Sequence, residues 1–151
     1  PNPAETGHVY NPSGGVEQWR GTVESVLSAL SMPSSWADLT LAQMNTESSG
    51  NPPQAINNWD SNAAAGTPSK GLMQVIDPTF DMLYPQFSTA GFPDDIWDPR
   101  SNIAGGLSWV VHRYGGPDGV WGPSPRLRQR WLHHRPGRSA RRRRADLGIQ
   151  R

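Results

Sequence analysis

The chain has 151 residues, a formal net charge of +1, no cysteine, and 7 Trp against 3 Phe and 3 Tyr. That is one domain's worth of chain, and without cysteine neither disulfides nor thiolate metal sites can hold it together, so it must rest on a packed core of its own. The near-zero charge conceals a split. Residues 1–125 hold four of the 14 basic and twelve of the 13 acidic groups, while the remaining residues hold ten Arg and a single Asp. A net charge of −8 followed by one of +9 means that the total says nothing about partners. No apolar run approaches the ~18 to 20 residues that span a bilayer. The start, Pro1-Asn2-Pro3, carries neither an initiator Met nor a signal-peptide pattern, which suggests a processed chain or a piece of a longer one.

Residues 1–15 are rich in turn formers without apolar periodicity and read as a linker. From Val16 the pattern changes. Val16, Trp19, Val23, Val26, Leu27 and Leu30 fall at helical spacing and predict a helix of about four turns ending before Pro33. Ser35 followed by Asp38 resembles a capping box opening a second helix, with Trp36, Leu39, Ala42 and either Leu41 or Met44 turned inward. Ser48-Ser49-Gly50-Asn51-Pro52-Pro53 stops that helix near Thr46-Glu47. Residues 48–70 read as one long irregular loop, a length that in compact domains is commonly functional. Gly71-Leu72-Met73-Gln74-Val75-Ile76 is a short apolar piece, extended or a tight turn. Asp77-Pro78 and Asp98-Pro99 each read as N-cap plus first helical residue. The first opens a short helix carrying Phe80, Met82 or Leu83, and Tyr84. The second opens one with Ile103, Leu107, Val110, Val111 and Tyr114 on one face, closed by Gly115-Gly116-Pro117. The expectation is a mainly α domain over residues 16–122, with Trp121 closing its core. Residues 123–151, with their four-Arg block, are expected to be a disordered basic tail, either native or the product of a GC-rich gene read in a shifted frame.

The chemistry concentrates between residues 47 and 74. A carboxylate in the last turn of a helix, here Glu47, sits near the negative end of the helix dipole, and an apolar helix behind it adds desolvation. Both effects raise a carboxyl pKa, the condition a general acid needs. From position alone, a solvated helix-end carboxylate is the favoured reading of Glu47.

Three ordered motifs favour the first reading. Glu47-Ser48-Ser49-Gly50-Asn51-Pro52, then Gly71-Leu72-Met73-Gln74, then Asn102-Ile103 opening a helix that ends Arg113-Tyr114-Gly115, resemble the SLT-type lytic transglycosylases of the lysozyme-like superfamily. The variants Ile56-Asn57-Asn58-Trp59-Asp60 and Pro68-Ser69-Lys70-Gly71-Leu72-Met73-Gln74-Val75-Ile76 are similar to forms in actinobacterial proteins and in tail tape-measure proteins of their phages. The resemblance implies a lysozyme-like single domain with long substrate-groove loops that cleaves the β-1,4 bond between N-acetylmuramic acid and N-acetylglucosamine in peptidoglycan. It makes Glu47 the acid that protonates the glycosidic oxygen and then the base that activates the muramoyl C6 hydroxyl, giving a 1,6-anhydro product with no metal or cofactor. It also implies substrate-binding roles for Ser49, Trp59, Met73, Gln74 and Tyr114, although core packing accounts equally for Met73 and Tyr114, a helix C-cap for Ser49, and packing of the loop is the alternative for Trp59. Tyr114 lacks the family's downstream Ala-Tyr-Asn-Ala-Gly context, being followed by Gly-Gly-Pro-Asp-Gly-Val-Trp.

Two rival readings stay open. Asp60, if ~6.5–9.5 Å from Glu47 with a water between, supplies the base of an inverting muramidase. Alternatively the domain is a non-catalytic glycan-binding or virion structural module. The four histidines show no ligand spacing, Asp94, Asp95 and Asp98 lack the alternation of a calcium loop, and the Arg-rich tail lacks interleaved aromatics. The partner the resemblance implies is the peptidoglycan glycan strand, and no specific nucleic acid and no membrane span are expected. The expected setting is a monomeric domain within a larger polypeptide, in the cell wall or a virion tail.

Overall fold

In a computed structural model, which describes residues 8–51, 53, 55–57 and 60–122, the first apolar stripe forms a 3₁₀ turn, Val16–Trp19, running into helix α1, Arg20–Ala29. Trp19, Val23, Val26 and Leu27 are buried on one side, the face the spacing predicts. The stretch read as a linker is tied down over its described part. The Gln18 side chain bonds backbone groups of Asn11 and Gly15, and Tyr10 stacks on Trp19 with ring centroids 6.4 Å apart.

Helix α2 spans Ala37–Glu47 after a 3₁₀ turn, Ser34–Trp36. The expected capping box does not form, because Ser35 lies inside that turn and Asp38 instead accepts from Arg20 Nη1 at 2.8 Å. The helix start is held by other bonds. Thr40 Oγ1 donates to Trp36 O at 2.8 Å, and Trp36 Nε1 reaches Asp118 Oδ2 at 3.1 Å. The buried face also differs from the expected one, consisting of Ala37, Thr40, Leu41, Gln43 and Met44, with Trp36, Leu39 and Ala42 half-buried. An apolar stripe misjudges this helix because two of its inward positions are polar groups with partners inside the fold.

The segment expected to be wholly irregular carries regular structure. Strand β1, Ile56–Asn57, pairs antiparallel with β2, Ser69–Lys70, matching Ile56 to Lys70 and Asn57 to Ser69. Between them, the one-turn helix α3, Ser61–Ala64, is capped by Asp60, whose side chain accepts from Asn62 N and Ala63 N. A tight turn then folds Val75 back on Lys70 through reciprocal backbone bonds of 2.9 Å. Gly71, with φ 76°, and Gln74, with φ 52°, supply its left-handed positions.

Helix α4, Asp77–Phe87, has Pro78 in its first turn, and Thr79, Phe80, Leu83 and Phe87 face the core while Met82 is exposed. Asp77 is not the N-cap expected of it, since the cap is Ile76 and the Asp77 carboxylate pairs with Lys70 Nζ at 2.7 Å. At helix α5, Pro99–Tyr114, the same dipeptide behaves as expected. Asp98 caps it through Arg100 N and Ser101 N, and Gly115, with φ 82°, closes it.

Every residue of α5 from Ser101 to Val110 is buried, so it is a central helix rather than one with a single apolar face. Helices α1 and α4 pack on it, α2 packs on α1, and Val120 and Trp121 complete the core. Gly106 is what allows the 71–74 turn to approach α5, because a Cβ there would lie 3.0 Å from Met73 Cβ. Among the described residues no helix is long and apolar enough to cross a membrane.

Candidate active site

Where α2 ends, three segments meet around a cavity of about 310 Å³ lined by Glu47, Ser48, Ser49, Asn51, Ala55, Ile56, Asn57 and Gln74. Glu47 is the last residue of α2 and half-buried. One of its carboxylate oxygens, Oε1, accepts from Gln43 Nε2 at 3.0 Å, a bond made one helical turn back along the same face.

The walls are held by bonds between side chains and backbone. Ser48 Oγ donates to Leu72 O at 2.7 Å and accepts from Gly50 N at 3.1 Å, fastening the end of α2 to the 71–74 turn. Trp19 Nε1 donates to Gly50 O at 2.9 Å and Asn51 Nδ2 to Pro12 O at 3.1 Å, so the N-terminal segment braces the opposite rim. Gly50 has φ 70°, and a Cβ there would fall 3.0 Å from Gly15 O and Val16 Cα, which leaves room for no larger residue. Gln74 Nε2 bridges Ala55 O at 3.1 Å and Gly71 O at 2.8 Å, tying the turn to the approach of β1. Deeper in, Asn102 is fully buried. Its Nδ2 donates to Lys70 O at 2.9 Å and Ile96 O at 2.8 Å while its Oδ1 accepts from Met73 N at 2.7 Å, so one amide fixes the turn to α5.

The residues singled out in the sequence separate into groups. Glu47, Ser49 and Gln74 line the cavity together. Ser49, with φ 59°, is exposed and its hydroxyl donates back to Asn45 O at 3.4 Å instead of holding the carboxylate. Met73 is 1% exposed, packed in the core, and is not among the residues lining this cavity. Tyr114 is half-buried at the last position of α5, under the Arg113 guanidinium 5.3 Å from its ring, and is not among the residues lining this cavity. Asp60 is the cap of α3, accepting from Asn62 N at 2.9 Å and Ala63 N at 3.0 Å, and does not line the cavity either. Trp59 and the tail at 123–151 lie outside the described residues.

Gln43, Ser48 and Asn102 were not read as site-building residues from the sequence. Gln43 could have been found from its i, i+4 relation to Glu47, and Ser48 from being the first residue beyond the helix. Nothing local announced the role of Asn102. Among the described residues no three His, Asp or Glu side chains converge on a metal position.

A carboxyl in a groove otherwise lined by hydroxyl, amide and small apolar groups suits a neutral, hydroxyl-rich substrate, and comparison with known families agrees. The family model described as the transglycosylase SLT domain matches residues 24–132. The chain belongs to the SLT transglycosylase family. As an SLT domain it is lysozyme-like, in keeping with the mainly α architecture, and its family is that of lytic transglycosylases acting on peptidoglycan. It is also similar to the uncharacterized protein YqbO of Bacillus subtilis (strain 168), 41% identical over 112 residues, which are 73% of this chain. The aligned part spans 6% of the length of that relative. No solved structure gives a significant match.

Proposed function

We propose that this SLT domain cleaves the β-1,4 bond between N-acetylmuramic acid and N-acetylglucosamine by a single-carboxylate lytic transglycosylase mechanism centred on Glu47. One observation carries the proposal: among the described residues lining the cavity, Glu47 has the one titratable side chain. The protonated Glu47 gives its proton to the glycosidic oxygen as the C1–O bond breaks, and the acetamido group of the sugar supports the positive charge that develops at C1. The carboxylate so formed takes the proton of the muramoyl C6 hydroxyl, whose oxygen closes on C1. The products are a 1,6-anhydromuramoyl end and a free 4-hydroxyl on the departing sugar, and Glu47 ends protonated as it began. One carboxylate suffices because the nucleophile is tethered to the reacting sugar, where effective molarities reach ~10⁵ M or more.

The amides of Asn51 and Asn57 and the partly exposed Ile56 give the groove hydrogen-bonding and apolar surfaces for a sugar ring and its N-acetyl group, while Gln74 lines its wall with its N–H groups tied to Ala55 O and Gly71 O. Ser49 at the rim belongs to the same surface. A hydrolytic muramidase would need a second carboxylate opposite Glu47, and Asp60, the candidate for it, already accepts two backbone N–H groups of α3. A pure binding module would not need a carboxylate oriented by a buried amide. Because the match spans 6% of its relative, the domain is proposed to act as one module of a longer polypeptide, working where peptidoglycan is met, in the cell wall or from a virion tail. The test is Glu47→Gln incubated with purified sacculi, which should release no muropeptide while its circular dichroism matches wild type. Release at the wild-type rate would end the proposal.

A further inference from the structure

Gln43 is a polar side chain 3% exposed in the middle of α2, on the face the helix turns inward, where an apolar residue would pack at no cost in desolvation. A surface Gln–Glu pair at this spacing is mobile and weak. Burial changes that, because a buried amide has few rotamers open to it and must spend its polar atoms on fixed partners. Its Nε2 lies 3.0 Å from Glu47 Oε1. The amide of Gln74 is engaged elsewhere, on Ala55 O and Gly71 O.

We propose that Gln43 is a positioning residue for the reaction, holding the Glu47 carboxylate by Oε1 in the rotamer that faces the groove and stabilising the charge that appears on it as its proton leaves. The inference rests on Glu47 being the general acid. The chemistry follows from the amide itself. A primary amide N–H donates but does not take up a proton at ordinary pH, so Gln43 cannot compete for the proton that Glu47 delivers. Its hydrogen bond is stronger to a carboxylate than to a carboxylic acid, so it gains strength along the protonation step and favours the transition state over the bound ground state. Glu17, Arg20 and Asp38 pair with one another at the start of α2, Lys70 pairs with Asp77, and neither these nor Glu24 on α1 lines the cavity.

The test is Gln43→Met, which keeps volume and flexibility and removes the donor, assayed on purified sacculi across pH beside wild type and Glu47→Gln. The expected result is a fall in kcat of about ten- to a hundredfold with KM unchanged, and an alkaline limb of the pH–rate profile moved up by about one pH unit. A role confined to packing would lower the rate at every pH and leave the limb in place, and that result overturns the inference. Should Gln43→Met fold poorly, the wild-type protein gives an independent answer by NMR. The Gln43 side-chain amide signals should titrate with Glu47 in wild type and stay flat in Glu47→Gln. Signals that do not titrate in wild type overturn the inference equally. If instead Glu47→Gln retains full activity, it is the assignment of Glu47 as general acid that fails, whatever Gln43 does.

Discussion

Replacing Asn102 by Ala should be among the most damaging single changes in this domain, although Asn102 touches no groove surface. Its side chain is fully buried and serves three backbone groups, Lys70 O, Ile96 O and Met73 N, at 2.9, 2.8 and 2.7 Å. Each buried backbone group left unsatisfied costs about 1–3 kcal/mol. Lys70 O keeps the bond from Val75 N, so the change leaves two of these groups, Ile96 O and Met73 N, without a partner. With some recovered by water entering the gap, the loss should be roughly 2–5 kcal/mol, against a total stability of about 5–15 kcal/mol for a domain of this kind. Gly71 provides an internal control, because a Cβ there would lie 2.3 Å from Asn102 Nδ2 at a φ of +76°. In the wild-type background Gly71→Ala therefore suffers both the collision and the left-handed backbone penalty of about 1–2 kcal/mol. Where Asn102 is already Ala, the collision is gone and the backbone penalty alone remains. Urea unfolding of the two single variants and the double variant, fitted as two-state transitions, should show a coupling of about 1–3 kcal/mol. A loss below about 1 kcal/mol for Asn102→Ala, or an equal cost of Gly71→Ala in both backgrounds, would refute the reasoning.

Two further predictions concern carboxylates away from the chemistry. Asp60→Asn retains an acceptor for the N–H groups of Asn62 and Ala63, so it should keep both stability and glycan cleavage, while Asp60→Ala should lose about 0.5–2 kcal/mol in thermal or urea unfolding. A folded but inactive Asp60→Asn would make Asp60 part of the reaction. At Glu17, the hydrogen bond from Arg20 holds the carboxyl below its ordinary value of 4.5. A lowered folded-state pKa contributes stability above the unfolded value that is lost as the pH falls through the folded one. Glu17→Gln should therefore lower Tm slightly near neutral pH, as expected of an exposed pair, and the difference should close as the pH drops below 4.5. A Tm difference that persists unchanged into acid would show that the ion pair is not its source.

What the sequence disclosed and what it withheld divide along physical lines. The stripe of α1 and both ends of α5 were legible because they depend on local signals: apolar spacing, an Asp-Pro cap and a left-handed glycine. The same Asp-Pro signal misled at α4, since the Asp77 carboxylate is drawn to Lys70 across the turn, a partner that local sequence does not reveal. The inward face of α2 was misjudged because Thr40 and Gln43 are buried on the strength of hydrogen bonds rather than of apolar surface. Residues 48–70 lack periodicity because their order comes from two short strands and a one-turn helix, elements too brief to imprint a pattern. At the site, Glu47 and Gln74 could be picked out by motif. The serine that fastens the groove wall is Ser48 rather than Ser49, and Met73 is turned into the core by the close approach that Gly106 permits.

The central claim, that one carboxylate carries both proton transfers, is tested most directly by the mass of the glycan ends released from purified sacculi. The account predicts that wild-type protein yields 1,6-anhydromuramoyl ends, one water lighter than reducing ends, and that Glu47→Gln yields neither. Reducing ends from the wild type, or anhydro ends formed undiminished by Glu47→Gln, would contradict it.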